Sequence, residues 1–588
     1  MPGPDLTNTR AQSEFALPLV IAVTGHRDLV AAEVPAIRQR VRDWLQDLAG
    51  RYPDRRLSVM SPLAEGADRL VAEVALEIGI ELTVPLPMER KLYKQDFVTP
   101  ASGRQFDLLC ERADEVVELP LARGTTEEQI LFPGPARNRQ YAQIGVFLCA
   151  HCHILLAIWD GKSSPDLGGT GQVVRFHHDD IMPGYTPKTL ATQQMLVDDE
   201  SDLVYHIVCS RDRPHGEPHQ DYAPLQSFWF TKDRENPRCE EIPKQHETIF
   251  LRSDEFSRDA IHFAEQIDAE KYPLLDAGQH DELPHGIAEI NRIFCIADWL
   301  AIHYQKKTLF TLRATHLLGF LMGLMFILYS DFDSWPTYMF AFLLFFLVAA
   351  AIHFFAKRDG WHRKYLDYRT LAEGLRVQFY WAAAGVSNEN ESKFTHDNFL
   401  QTQDPELGWI RNVMRVAGTR CDAARYTDPA GLEFVLREWI GDSENGQLGY
   451  FRRKAKERVV KNRNTERLGL ISLLTSVVVV MLFAFAGSLV PEFLRDPLMV
   501  AMGAMLLLFG IRQGYAYSTA EKELIKQYEF MLRIFHNARR RLDNADDLEE
   551  QRQVLLALGG SALDEHAEWI LMHRDRSVDQ GEIWRMGS

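Results

Sequence analysis

Over the first three hundred residues, short apolar runs alternate with amphipathic stretches. PLVIAVTG (18–25) is a brief apolar run ending in glycine, and this pattern predicts the first strand of a parallel sheet. Leu57–Pro62, Glu81–Leu86, His153–Trp159 and Leu203–Cys209 repeat it. Between them, helical periodicity runs from about Val34 to Gly50, from Ala64–Asp68 to about Gly79, and up to Phe147–Cys152. Strands alternating with helices predict a Rossmann-like α/β domain. Segments 178–200 and 210–245, rich in Pro, Asp, His and Gln, read as long loops, one of them placed to cover a ligand.

Past residue 306 the pattern changes. Four long apolar runs follow: Ala314–Tyr329, Thr337–Ala356, Leu468–Val490 and Pro497–Ile511. Crossing the hydrocarbon core takes about 20 residues. The second and third runs meet that length, and the first and fourth reach it with Thr308–Leu312 and Arg512–Tyr517. Very short polar turns join them into two hairpins, which favours spans over buried soluble helices. Each hairpin is followed by a charged helical stretch, at 361–381 and 518–542, and RATHLLG (313–319) resembles RNTERLG (463–469), so the hairpins read as an internal repeat that also aligns Tyr368 with Tyr528. The predicted fold is an α/β Rossmann-like N-terminal domain plus an all-α C-terminal membrane domain with four transmembrane helices. Its expected divisions are the nucleotide-binding domain at 14–245, connecting helices with the first hairpin at 246–385, a cytoplasmic helical insertion at 386–460, and the second hairpin with a helical tail at 461–588.

Charge sets orientation and narrows the partners. The turns Asp331–Pro336 and Pro491–Asp496 are acidic, whereas Lys306, Lys307, Arg313, Lys357, Arg358, Arg363, Lys364 and the run from Arg452 to Arg467 flank the other ends. By the positive-inside rule both termini and 357–467 are expected in the cytoplasm, in a multi-pass protein of the inner (cytoplasmic) membrane. His316 and His353 sit near the cytoplasmic ends of their spans and read as interfacial. A net charge of −17 argues against nucleic acid as a partner. Seven scattered cysteines and no leader-like start point to a reducing compartment.

Candidate chemistry lies just after the predicted strands. Gly25-His26-Arg27-Asp28, Glu65-Gly66-Ala67-Asp68, Asp160-Gly161 and Gly168-Gly169-Thr170-Gly171 fall on one edge of the expected sheet. Glycines there let a backbone approach a phosphate, and the following helix offers free N–H groups. The predicted ligand site comprises Gly25, His26, Arg27, Glu65, Gly66, Asp68, Asp160, Gly161, Gly168, Gly169, Thr170, Gly171 and Arg175, and takes a nucleotide-derived ligand with no other cofactor. Arg90, Tyr93, Arg104, Arg137, Arg139 and Tyr141 are further candidates for phosphate or base contact, or for plain surface. Cys149-Ala-His-Cys152-His153 matches a haem-attachment spacing, but it falls across a helix end and a buried strand in a chain expected inside the cell. A zinc site on His177, His178 and Asp179 lacks a supporting cysteine pair.

Two resemblances follow from these stretches. FCIADWLAIHYQKKTLFTLRATHLLGFLMG (294–323), DYRTLAEGLRVQFYWAAAG (367–385) and WIGDSENGQLGYFRRKA (439–455) resemble SLATT-type membrane effector modules, over roughly 286–545. TGHRDL (24–29), SPLAEGADRLVAE (61–73), LLAIWDGK (155–162) and GGTGQVV (168–174) resemble the SLOG superfamily, over about 18–210. The pairing implies a nucleotide-messenger sensor with a pore-forming or membrane-disrupting output of the kind associated with bacterial anti-phage defence, assembled as a homo-oligomer in the lipid bilayer. The hydrolase members of the superfamily carry G-G-x-G-T-x-x-E; here Gln172 and Arg175 stand at the threonine and glutamate positions. A guanidinium stays protonated and cannot serve as a base, so no catalytic residue and no metal are expected. The alternatives are a membrane-anchored nucleotide hydrolase or nucleosidase using Glu65 as base, and a non-catalytic scaffold.

Overall fold

The computed structural model describes residues 14–186, 202–232, 237–275, 286–331, 335–386, 399–400, 405–423 and 428–575. Much of the expected loop at 178–200, the middle of the first hairpin turn and a large part of 386–427 lie outside the described residues. The chain divides into two compact units: one holds the residues up to Ile296 together with Gly374–Leu432, the other Ala297–Glu373 together with the residues from Glu433 onward.

The first unit is an α/β domain around a mainly parallel eight-stranded sheet. Its strands are β1 (Pro18–Gly25), β2 (Arg56–Met60), β3 (Glu81–Leu86), β4 (Glu115–Glu118), β5 (Ile154–Trp159), β6 (Val204–Val208), β7 (Ser227–Phe230) and β8 (Arg238–Cys239), in the spatial order β4-β3-β2-β1-β5-β6-β7-β8. The first six pair in parallel; β7 and β8 add an antiparallel margin. Leu19–Val23 of β1 and all of β5 are buried, as central strands covered on both faces must be. The covering helices include α1 (Val34–Arg51), α2 (Ala67–Glu77), α3 (Pro100–Arg112), α4 (Pro135–Ala150) and α5 (Thr170–Asp179). The five strands expected from the sequence are present. Strands β4, β7 and β8 are additional, each of two to four residues and too short for a periodicity. Trp229 of β7 lies against Trp44 of α1 and Tyr205 of β6, and Trp44 stacks on Tyr205 at 4.4 Å.

Later helices add to this unit, among them α6 (Lys244–His262) and, at Gly408–Ala417, a helix that packs on it. Trp409 lies 5.7 Å from Phe256, and Arg415 forms a 3.0 Å ion pair with Asp202, both side chains almost wholly buried. Gly408–Ala417, inside the segment expected as a cytoplasmic insertion, thus packs into the α/β unit.

The remaining long helices are α7 (Ile287–Asp331), α8 (Pro336–Arg358), α9 (Trp361–Ala384), α10 (Gly408–Ala417, introduced above), α11 (Gly446–Ala486), α12 (Glu492–Ser518), α13 (Glu521–Leu542) and α14 (Leu548–Asp575). Helices α7, α8, α11 and α12 carry the four apolar runs and are long and apolar enough to cross a membrane. Gly319 and Gly323, one helical turn apart on α7, face Ile511 and Leu507 of α12, while Gly503 of α12 faces Ile327. Small residues at this spacing let two helices approach closely in lipid. Ser476 of α11 donates to the Met502 carbonyl at 3.2 Å, and Ser472 and Ser476 are buried. The Phe-rich surface of α8 stays exposed, as a lipid-facing helix does.

The charged helices form a bundle within the second unit. Asp298 of α7 pairs with Arg369 of α9 at 3.3 Å, Arg369 also pairs with Glu373, and Gln305 donates to the Tyr365 hydroxyl at 3.1 Å. Tyr304 meets Tyr368 edge-on, and in the second half Tyr450 and Phe451 meet Tyr528. The two tyrosines aligned by the repeat thus each pack against aromatics of the helix that enters the preceding hairpin. The C-terminal α14 is integral to this bundle: Arg574 pairs with the buried Asp367 at 2.9 Å and Trp569 abuts Tyr365.

Candidate functional site

Strand order reverses at β1, with β2 to β4 extending to one side and β5 and β6 to the other. The crevice outside the carboxyl ends of β1 and β5 is the switch point at which open α/β sheets bind ligands. Gly25, His26 and Arg27 leave β1 here, and Asp160 and Gly161 leave β5.

His26 and Asp160 meet across this point, with His26 Nε2 3.2 Å from Asp160 Oδ1 and both side chains buried. Burial alone would raise the Asp160 pKa; the His26 contact and the Lys162 N–H, 3.0 Å from Oδ1, outweigh it and hold the carboxylate below its ordinary range. Arg27 is exposed beside them, its guanidinium 5.7 Å from the Tyr141 ring.

The turn after β2 holds the second group. Leu63 is buried in the left-handed region at φ 57°, a conformation that costs a non-glycine residue about 1–3 kcal/mol. Arg69 holds it there by donating from Nε to the Leu63 carbonyl at 3.0 Å, while its Nη1 reaches Ser102 Oγ at 2.7 Å. Glu65 accepts from the same Ser102 hydroxyl. Gly66 sits at φ 84°, and a Cβ there would collide with the carbonyls of His26 and Arg27, so only glycine brings α2 this close to β1. Asp68, in the first turn of α2, is 5 % exposed, and burial drives its pKa up to about 7 against the pull of Arg27.

The turn after β5 leads to the N-terminus of α5 through Gly168, Gly169, Thr170 and Gly171. Gly168 has φ 77° and lies against the backbone of Tyr141 and Ala142. A Cβ at Gly25, Gly161, Gly169 or Gly171 would also meet protein atoms: Ile158 and Ala67, Tyr222, Ser164 and Asp166, or Lys162. Close packing of the loops thus accounts for these glycines; the groups here able to meet an anion are the N–H groups of Thr170 and Gly171 at the start of α5, and Arg27, since the Gln172 N–H is taken by the Gly169 carbonyl. Gln172 is buried, and its Oε1 accepts the Gly168 N–H at 3.3 Å, so the residue at the threonine position of the motif shapes the turn. Arg175 lies on the exposed side of α5, 3.6 Å from Asp179.

Segment 210–222, part of a loop expected to cover a ligand, closes over this edge. Arg211 pairs with Asp28 at 2.8 Å, the His219 N–H donates to the Asp160 carbonyl at 2.7 Å, and Tyr222 covers Gly161. Of the further candidates, Arg90 pairs with Asp107 at 2.9 Å, Tyr93 is buried, and Arg104 is exposed. Arg137 is buried against Asp96 and the carbonyls of Ile130 and Leu92, Tyr141 donates to Asp96, and Arg139 lies 5.4 Å from the Tyr185 ring. Cys149 and Cys152 are buried, and His153 Nδ1 accepts the Val20 N–H at 2.9 Å, so this motif belongs to the sheet core. Among the described residues, no group of three His, Cys, Asp or Glu side chains is arranged to hold a metal ion.

Comparison with models of known families, with curated proteins and with solved structures returns no match.

Proposed function

We propose that this chain is a ligand-controlled membrane effector: a nucleotide-derived molecule binds at the β1–β5 switch point, and binding biases the membrane helices toward pore formation or membrane disruption. The observation that carries this reading is the convergence of an exposed Arg27, the His26–Asp160 pair and the α5 N-terminus at a switch point, in a chain with four helices fit to cross a membrane. Helices α7 and α9 each have residues in both units and supply the covalent route between site and membrane. A ligand shifts such an equilibrium only by its differential affinity for the two states. The topology that fits the charge pattern keeps both termini in the cytoplasm, and homo-oligomers supply enough spans to line an aqueous path. Anti-phage defence is the setting that the SLOG and SLATT resemblance favours.

A nucleotide hydrolase is the second reading. The His26–Asp160 geometry favours it, since a histidine oriented by a carboxylate is a common general base. Glu65, engaged by Ser102, is the weaker base candidate.

The test is a thermal-shift panel of cyclic nucleotides, ADP-ribose derivatives and plain nucleotides on the detergent-solubilised full chain, with chromatography of each ligand afterward. Saturation at a hundred times the Kd adds about 2.7 kcal/mol. A shift with unchanged ligand, lost in Arg27→Ala, supports the sensor; consumption of the ligand moves the assignment to the hydrolase; no shift with any member overturns both. Gly169→Asp is a poor probe, because its Cβ would press on Ser164 and Asp166 and disturb the loop itself.

A further inference from the structure

Several carboxylates on this edge of the sheet have side-chain partners within the protein. Asp28 pairs with Arg211, Glu65 accepts from Ser102, Asp96 from Arg137 and Tyr141, and Asp160 contacts His26. Asp68 differs. It is more than nine-tenths buried, yet its Oδ1 has no hydrogen-bond partner among the described residues. The Ala64 N–H supports the carboxyl, and Arg27 is the leading favourable charge acting on it. The position is fixed by the backbone: the Ala67 N–H donates to the His26 carbonyl at 3.1 Å, and Ser61 Oγ donates to the Asp68 carbonyl at 3.0 Å.

An unfilled buried acceptor is costly and calls for a donor. With the carboxyl ionised, a bare phosphate cannot fill it, because phosphate brings acceptor oxygens against a carboxylate oxygen. A cation on the ligand would be opposed by the adjacent Arg27. A neutral hydroxyl donor, attached to an anionic group that reaches Arg27, satisfies both residues. Among nucleotide-derived ligands that description fits a ribose hydroxyl next to its phosphate. Resting on the nucleotide-ligand reading above, we propose that Asp68 is the acceptor for a ribose hydroxyl of a ribonucleotide whose phosphate meets Arg27, so that the site selects ribonucleotides over deoxynucleotides.

The experiment measures binding of AMP, ADP-ribose, 2′,3′-dideoxy-AMP, cyclic nucleotides and inorganic phosphate to the detergent-solubilised full chain, to Asp68→Ala and to Arg27→Ala; alanine is chosen because an asparagine amide oxygen would still accept the hydroxyl. The expected result is a preference of about tenfold or more for AMP over its dideoxy analogue, abolished in Asp68→Ala without loss of phosphate binding, and a general weakening in Arg27→Ala. Equal affinity for AMP and dideoxy-AMP in the native chain, or a preference retained in Asp68→Ala, overturns the Asp68 assignment and leaves the nucleotide reading standing. Failure of AMP, ADP-ribose and the cyclic nucleotides alike to bind the native chain overturns the nucleotide reading itself. Should Asp68→Ala not fold, the AMP-to-dideoxy-AMP ratio of the native chain decides alone.

Discussion

Asp68 couples the site to pH. Its carboxyl titrates near 7 in the folded chain because burial penalises the charged form, whereas an unfolded aspartate titrates near 3.9. Between these values the native state holds a proton that the unfolded chain has released, so this contribution to stability is full below about pH 4 and is lost as pH rises through about 7. The melting temperature should therefore be lower at pH 8 than at pH 6, and Asp68→Asn should reduce that difference; an unchanged difference in the variant would assign it to another group. Burial holds His151 and His206 in the opposite sense, each near pKa 4, so neither charges in this window. Arg415 is a second residue with a calculable effect. Replacing it by Met removes the 3.0 Å ion pair from the buried Asp202 and should cost about 3–5 kcal/mol. Adding Asp202→Asn should recover part of that loss in a thermal-shift assay.

At the scale of elements, close helix contact in the membrane half rests on glycine. Gly323→Ile places a branched side chain against Leu507 and should destabilise the α7–α12 contact by about 1–3 kcal/mol, read as a lower melting temperature in detergent. Gly510→Ile, on α12 but with no atom within 4 Å of its would-be Cβ, should change little. These elements were the most legible part of the sequence. A span is announced by apolar length alone, and β1 and β5 by unbroken apolar runs, because each signal is local. Strands β7 and β8 were illegible because their pairing with β6 is made across the sheet and leaves almost no periodicity in so few residues. Likewise residues 405–423 read as part of a cytoplasmic helical insertion, since nothing near Arg415 in the chain announces that Asp202 will meet it. The motif helices sit between these cases: Ala297-Asp298 and Tyr368-Arg369 were visible as patterns, but that Asp298 and Arg369 pair with each other required the fold. At the candidate site, the turn positions of the glycines and a covering loop were readable, while the packing of those glycines against neighbouring loops, and Tyr222 as the residue over Gly161, were not.

At the scale of the whole molecule, the chain carries two features in separate units, a sheet switch point and four helices long and apolar enough to cross a membrane. Either feature alone fits many proteins; their combination makes ligand-dependent leakage the distinguishing claim. The most direct measurement is dye release from liposomes reconstituted with the full chain, titrated with the ribonucleotide that gives the largest thermal shift. Dye should be retained without ligand, released on its addition, and retained again in Arg27→Ala despite normal reconstitution. Equal release with and without ligand, or no release at saturating ligand, would contradict it.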